Sequence, residues 1–276
     1  MTGLATMRRV GVLGGMGPEA TVLLMSRVIA MTPAADDRDH VPLLVDNNTQ
    51  VPSRIAALIE KTGEDPGPVL VEMARRLEAA GVEALAMPCN TAHHYAPLLG
   101  RAVSIPLLDM IQLSAARLAD LGRPTAAACR VGMLASPAVA LAGVFDGAFA
   151  AQGLEAVYPA NPDRLLACIR AIKATGGRDT AKSMLQAAAD ELRSGGAEVL
   201  LVACSELSLI AGEIAGDLPL VDTIDVLAAA VVAFSRGAAP EDLLATGEKD
   251  RDDNGRPTWR RLQQGESQKA LGGALS

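Results

Sequence analysis

An internal echo constrains this chain more than any other feature. Gly196-Ala197-Glu198-Val199-Leu200-Leu201-Val202-Ala203-Cys204 repeats Gly81-Val82-Glu83-Ala84-Leu85-Ala86-Met87-Pro88-Cys89 at one constant offset, with glycine, glutamate, leucine and cysteine coincident in both copies. Each copy is a short apolar run that begins after a glycine and ends on a thiol, the pattern of a buried strand that delivers a cysteine to a polar turn. Pro106-Leu107-Leu108-Asp109 and Pro219-Leu220-Val221-Asp222 form a second echo at nearly the same offset. Arg130 to Ala135 repeats the first strand-like run, Arg9 to Leu13, and Leu154 to Tyr158 repeats the second, Val41 to Val45.

Helical patterns separate these runs, and strands alternating with helices imply mostly parallel sheets with helices outside. The expected fold is therefore α/β: two similar lobes related by a pseudo-twofold duplication, with a cleft between them. Residues 1–112, completed by 219–236, make the first lobe and 113–218 the second. From Gly237 the pattern fails, through a mixed charge run at Glu248 to Asp253 and past Trp259 with its neighbours Arg256, Arg260 and Arg261. Residues 237–276 read as a polar, mobile tail.

Composition narrows the function. A net charge of −7 and an aromatic content of 2% argue against a nucleic-acid surface, which wants basic stripes and stacking rings. No apolar stretch reaches the ~20 residues of a membrane span, and the N-terminus runs into a strand without an apolar leader. The four cysteines show no C-x-x-C spacing, which fits a reducing compartment and not a zinc site. The expectation is a cytoplasmic protein with no membrane partner.

Ligands of α/β sheets bind outside the carboxyl ends of the strands. The segments there are Gly14-Gly15-Met16-Gly17-Pro18-Glu19, Asp46-Asn47-Asn48-Thr49-Gln50-Val51-Pro52-Ser53-Arg54, and the turns that carry Cys89 and Cys204. Each thiol precedes an expected helix start, where free N–H groups favour an anion and lower a thiol pKa. A single free cysteine usually just packs. Two at matched strand ends point instead to a shared cleft, whereas Cys129 and Cys168 have no such partner and read as structural.

Opposed thiols suit proton transfer at a carbon acid, in which one thiolate removes a proton while the other thiol supplies a proton to the far face. Such an exchange inverts a stereocentre. A carbon of this kind is poorly acidic, so the site also needs donors aimed at developing negative charge. Asn90, Thr91, Ser205 and the backbone N–H groups after each cysteine supply them.

Val12-Leu13-Gly14-Gly15-Met16-Gly17-Pro18-Glu19-Ala20-Thr21, Gly63-Glu64-Asp65-Pro66, Pro88-Cys89-Asn90-Thr91-Ala92-His93 and Cys204-Ser205-Glu206-Leu207 together resemble the aspartate/glutamate racemase family, on its aspartate racemase branch, over roughly residues 8–236. The resemblance implies two α/β lobes with the active site between them, no pyridoxal phosphate, no metal, and a small acidic amino acid as substrate. It also fits a homodimer. By that resemblance Cys89 and Cys204 are the acid/base pair. Asn90 and Thr91, with Asn48 and Thr49, hold the α-carboxylate region, Arg54 and Lys173 meet the acidic groups, and Met16, Ser205 and Glu206 complete the substrate site. Ser205 stands where the family usually has threonine and Ser53 where an aspartate is common. The second departure bears on side-chain selectivity.

Other readings carry less. Gly15-x-Gly17-x-x-Ala20 fits a loose dinucleotide fingerprint with Asp36, Asp37 or Asp39 as ribose ligand, but leaves the cysteine pair unexplained. Maleate isomerases and decarboxylases share the scaffold, and the decarboxylases keep one cysteine of the two. A two-lobed protein that closes on an acidic ligand without turnover is a different class. His40, His93 and His94 lack the spacing of a metal site.

Overall fold

The computed structural model describes residues 7–121, 128–174 and 177–244. Among the described residues eight strands form two parallel four-stranded sheets, which bears out the duplicated α/β reading. The first sheet holds β1 (Val10–Gly14), β2 (Leu43–Asn47), β3 (Ala84–Ala86) and β4 (Leu107–Leu108), and the second holds β5 (Cys129–Ala135), β6 (Leu154–Val157), β7 (Val199–Ala203) and β8 (Leu220–Asp222). The strand orders, β2-β1-β3-β4 and β6-β5-β7-β8, are the same path taken twice.

The central strands read as unbroken apolar runs because both of their faces are covered. Alternate side chains go to opposite sides. Val10, Val12, Ala84 and Ala86 enter the same core as Val131, Met133, Ala135, Val199, Leu201 and Ala203 of the second sheet. Leu13, Leu85 and Met87 face away, onto α2 (Gly67–Ala79) and α3 (Ala96–Ala102). Leu134, Leu200 and Val202 face α7 (Pro162–Lys173) and α8 (Arg178–Ser194). The shared core is completed by α1 (Pro18–Met31), α4 (Met110–Leu121), α6 (Asp146–Gln152) and α9 (Thr223–Ser235), while α5 (Pro137–Leu141) follows β5.

Matched glycines stop the helices that lead into β3 and β7. Gly81 has φ +80° and Gly196 φ +84°, a left-handed turn that only glycine adopts without strain. This is why glycine heads both copies of the echo.

Two boundaries differ from expectation. Residues 220–222 do not return to the first lobe: β8 pairs with β7, Leu201 opposite Val221, and belongs to the second sheet. The helix after it, α9, lies against α1 and α4, where Arg27 meets Asp225 at 2.9 Å. The start of the tail is also fixed. Arg8 donates to the Phe234 carbonyl (Nε, 2.8 Å) and to the Ala238 carbonyl, and Leu243 packs on the core. Residues 245–276, with the charge run and Trp259, lie outside the described residues. No helix among the described residues is long and apolar enough to cross a membrane.

Candidate active site

In each sheet the chain reverses its direction of winding beside the central pair, β1/β3 or β5/β7, and that is where open α/β sheets leave a crevice at their carboxyl ends. β1 ends in the Gly14–Gly17 turn and β3 in the turn bearing Cys89. β5 ends at Ser136 and β7 at Cys204. Gly15, at φ +89°, brings its turn so close to the Asn48 backbone that a Cβ there would collide with it. An added Cβ on Gly17 would sit 3.7 Å from Glu206 Oε1, so this turn of the first half meets the thiol turn of the second.

Both thiols are buried, Cys89 at 7% exposure and Cys204 at 6%. Cys204 donates Sγ–H to Glu206 Oε2 at 3.2 Å, and Glu206 Oε1 pairs with Lys173 Nζ at 2.8 Å. The Arg54 guanidinium and the Glu206 carboxylate are both close enough to act on the Cys89 thiol, in opposite directions. Arg54 Nη1 donates to the Val51 and Pro52 carbonyls, at 3.2 and 2.8 Å, which holds it in place. Asp65, from the Gly63-Glu64-Asp65-Pro66 turn, lies close to Tyr95, and burial together with that carboxylate pushes the phenol up to about 12.

The expected lowering of the thiol pKa values is reversed. Burial pushes the Cys89 thiol up, Arg54 pulls it back and Glu206 pushes it further. Burial and then Glu206 drive Cys204 well above its ordinary value. The turns that follow the thiols are single 3₁₀ pieces, Thr91–Tyr95 and Leu207–Leu209. Their N–H groups do favour the thiolate, at Ala92 and at Glu206 and Leu207, but a turn this short offsets little of the desolvation.

The residue four places after each cysteine is polar, buried and close to that cysteine's carbonyl. His93 Nδ1 lies 2.9 Å from Cys89 O, and Ser208 Oγ 3.4 Å from Cys204 O. Each also meets the aspartate at the end of the fourth strand of its own half, just past β4 or last in β8: His93 Nε2 is 3.9 Å from Asp109 and Ser208 Oγ donates to Asp222 at 2.8 Å. Met110 N–H donates to His93 Nε2 at 3.2 Å, so the ring is neutral and carries its proton on Nδ1. Burial lowers its pKa to match. With both ring nitrogens occupied His93 cannot ligate a metal, and among the described residues no group of three or more histidine, cysteine or carboxylate side chains is arranged around a metal position.

The other residues singled out in the sequence fall into two groups. Met16 is buried in the same apolar cluster as Cys89, Asn90 and Ser205 are buried beside their cysteines, and Thr91 Oγ1 reaches Ser136 Oγ across the halves at 3.4 Å. Asn48 and Thr49 lie on the rim. Asn48 Oδ1 closes a turn onto Gln50 N, and Thr49 is exposed with Oγ1 accepting from Gln50 Nε2. Two residues escaped the sequence reading. Ser136 was signalled only by its place after the β5 run. Thr223, completely buried, accepts from Asn90 Nδ2 at 3.0 Å and donates to Val202 O at 3.0 Å.

A family model described as Asp/Glu/Hydantoin racemase matches residues 13–231. The chain belongs to this family. The resemblance drawn from the motifs is thus borne out at the family level. Among proteins similar to this racemase-family chain is the broad specificity amino-acid racemase of Bacillus subtilis (strain 168), 24% identical over 229 residues that cover 81% of this chain and 96% of that one. Among solved structures, the Picrophilus torridus aspartate racemase superposes with a TM-score of 0.73 at 29% identity, covering 83% of this chain and 94% of that one. A glutamate racemase isoform of Bacillus anthracis shares the fold, with a TM-score of 0.59 at 18% identity and coverage of 84% and 83%.

Proposed function

We propose that this chain is a cofactor-independent amino-acid racemase for a small acidic substrate, aspartate first and glutamate second, with Cys89 and Cys204 as its two acid/base groups. The observation that carries the reading is the unequal poise of two buried thiols at matched strand ends. Arg54 favours ionisation of Cys89, whereas Glu206 holds a proton on Cys204. Burial keeps both as thiols, Cys204 the more firmly, so Cys89 is the group poised to give up its proton first and start turnover of one enantiomer.

In that cycle the Cys89 thiolate takes the Cα proton and Cys204 gives its own to the opposite face, which leaves Cys89 as thiol and Cys204 as thiolate. The other enantiomer runs the same exchange backwards. Negative charge that develops on the substrate is met by Arg54, Thr91 and the N–H groups of the two turns, in a buried site where such interactions are strengthened. Thiols that must stay reduced accord with a cytosolic enzyme.

The Lys173–Glu206 pair favours a second, broader reading of specificity. A cation already neutralised by a neighbouring carboxylate gives an acidic side chain less advantage over a neutral one, and the Bacillus subtilis relative is described as broad in specificity. One screen tests both: L and D amino acids are incubated without added cofactor and followed for loss of optical activity. Loss confined to aspartate and glutamate supports the acidic reading, and loss across many side chains supports the broader one. No loss with any amino acid would remove the racemase reading in favour of a binding protein or another reaction of the scaffold.

A further inference from the structure

We propose that Thr223 is a positioning residue for the reaction, one that fixes the two thiol turns against each other and orients the Asn90 amide. The proposal rests on the reading of Cys89 and Cys204 as an acid/base pair. Asn90 immediately follows Cys89, and Val202 precedes Cys204 by two residues. Thr223 Oγ1 holds both, at 3.0 Å each, and none of its surface is exposed. A single hydroxyl therefore bridges the cysteine loop of one half to the cysteine strand of the other.

The direction of these bonds is determined. A carbonyl oxygen can only accept, so the Thr223 proton goes to Val202, and Thr223 Oγ1 must accept from Asn90. The Asn90 amide thus presents Nδ2 to Thr223 and is left with Oδ1 on its other side. Oδ1 is buried and, among the described residues, has no hydrogen-bond partner. Buried acceptors are seldom left unpaired, and such an atom one residue from Cys89 suits an N–H donor, such as a substrate ammonium, better than a carboxylate. This alters the role expected for Asn90 from the sequence, where it was placed with the α-carboxylate.

The backbone supports the hydroxyl from its own side. Asp222 caps α9 by accepting from Ile224 N–H at 2.8 Å and accepts from Ser208 Oγ at 2.8 Å, so the residue before Thr223 is tied to the turn after Cys204. With the Cys204 side held in this way, the Asn90 bond carries the register to Cys89, beside the Thr91–Ser136 contact.

The test uses the full-length protein with Thr223→Val, which keeps the shape and removes the hydroxyl, and Thr223→Ser, which restores it. Displacement of one thiol turn by about an ångström costs on the order of a hundredfold in rate. The expected result is a kcat lowered by about that factor in both directions with Val, a far smaller change in KM, and recovery with Ser. In deuterated water the Val variant should also return unconverted substrate that has exchanged its Cα hydrogen, because one thiolate still removes the proton when the partner acid is misplaced.

Racemisation by Thr223→Val near the wild-type rate would overturn the proposal, as would a loss shared by kcat and KM that Ser does not repair. If Val prevents folding, Thr223→Ala is measured in its place against the same outcomes. Failure of the wild-type chain to racemise any amino acid would instead overturn the functional reading on which this proposal rests.

Discussion

Cys204 Sγ lies 3.2 Å from Glu206 Oε2, in an orientation that keeps the proton on the thiol and points it at a carboxylate already paired with Lys173. Glu206 raises both thiols and Cys204 the more. Glu206→Gln removes that negative charge but keeps an acceptor. The expected outcome is alkylation of Cys204 that begins at lower pH than in the wild type, with Cys89 shifted in the same direction by less. Alkylation profiles for the two sites, read by peptide mass spectrometry, check this. An acidic substrate should slow both and leave Cys129, which is partly exposed and outside the cluster, unchanged. Unmoved profiles would show that Glu206 does not set the protonation of the pair.

Arg54 and Lys173 are both engaged by the protein, Arg54 with two carbonyls and close enough to Cys89 to act on its charge, and Lys173 with Glu206. If they read the acidic side chain, Arg54→Ala or Lys173→Ala should raise KM for aspartate much more than for a neutral amino acid. A charge-assisted bond lost from a closed site costs ~1.5–3 kcal/mol, or roughly tenfold to a hundredfold. The two cations are separable: Arg54→Ala should also slow alkylation of Cys89, and Lys173→Ala should not. Equal damage to both substrates would assign the cations to structure or to the α-carboxylate.

Asp222 is a carboxylate kept from water beside a second one, Asp225, with Ser208, Ile224 N–H and the charge of Arg27 on the favourable side. Burial first, and then Asp225, pushes it from 3.8 up to about 7. The folded chain thus holds a proton that the unfolded chain releases near pH 4. The stability this group contributes is full below about pH 4, declines as pH rises and is lost above about pH 7. Asp222→Asn keeps the capping oxygen and cannot titrate. Denaturant melts of both proteins should show the wild type losing stability relative to Asn as pH goes from about 4 to 7. A constant difference across that window would mean that Asp222 does not titrate there.

The tail is shorter than its sequence pattern suggests. Arg8 stacks over Phe234, with its guanidinium carbon 3.7 Å from the ring centroid, and its hydrogen bonds reach past residue 236 to the Ala238 carbonyl. Truncation after Leu244 should leave folding and activity unchanged. Truncation after Arg236 removes Ala238 and Leu243 and should lower Tm by about 2–4 °C for each kcal/mol lost. Calorimetry of the two truncations decides between a boundary at 244 and one at 236, and equal Tm values would favour the boundary at 236.

What could be read in the sequence was whatever repeats or alternates. Gly81 and Gly196, the apolar strands after them and the cysteines at their ends carry the duplication openly, because a strand buried on both faces has to be written in apolar residues. Thr223 could not be read this way. A threonine after Asp222 looks like an ordinary helix start, and its bond to Asn90 joins residues far apart in the chain. The poise of the thiols was hidden for a related reason. A strand-to-helix turn advertises the N–H groups that favour a thiolate, while the apolar side chains packed with each thiol are scattered along the sequence of its own half. β8 was misplaced because its echo with β4 gives its position within a sheet but not which sheet it joins.

The mechanism itself is tested by removing one thiol at a time. A single base that takes and returns a proton on one face exchanges the hydrogen and retains configuration, whereas inversion needs an acid on the far face. Cys89→Ala and Cys204→Ala should each abolish interconversion in both directions. Each variant keeps one thiol on one face, so slow Cα–H exchange in deuterated water should persist for one enantiomer with Cys89→Ala and for the other with Cys204→Ala. Because Arg54 favours the thiolate at Cys89 and Glu206 opposes it at Cys204, the exchange left by Cys204→Ala should be the faster of the two at neutral pH. Proton NMR of the recovered substrate, with its configuration read on a chiral column, gives both quantities in one experiment. Near wild-type racemisation by either variant, or exchange of the same enantiomer by both, would rule out facing thiols and leave a one-base site as the better account.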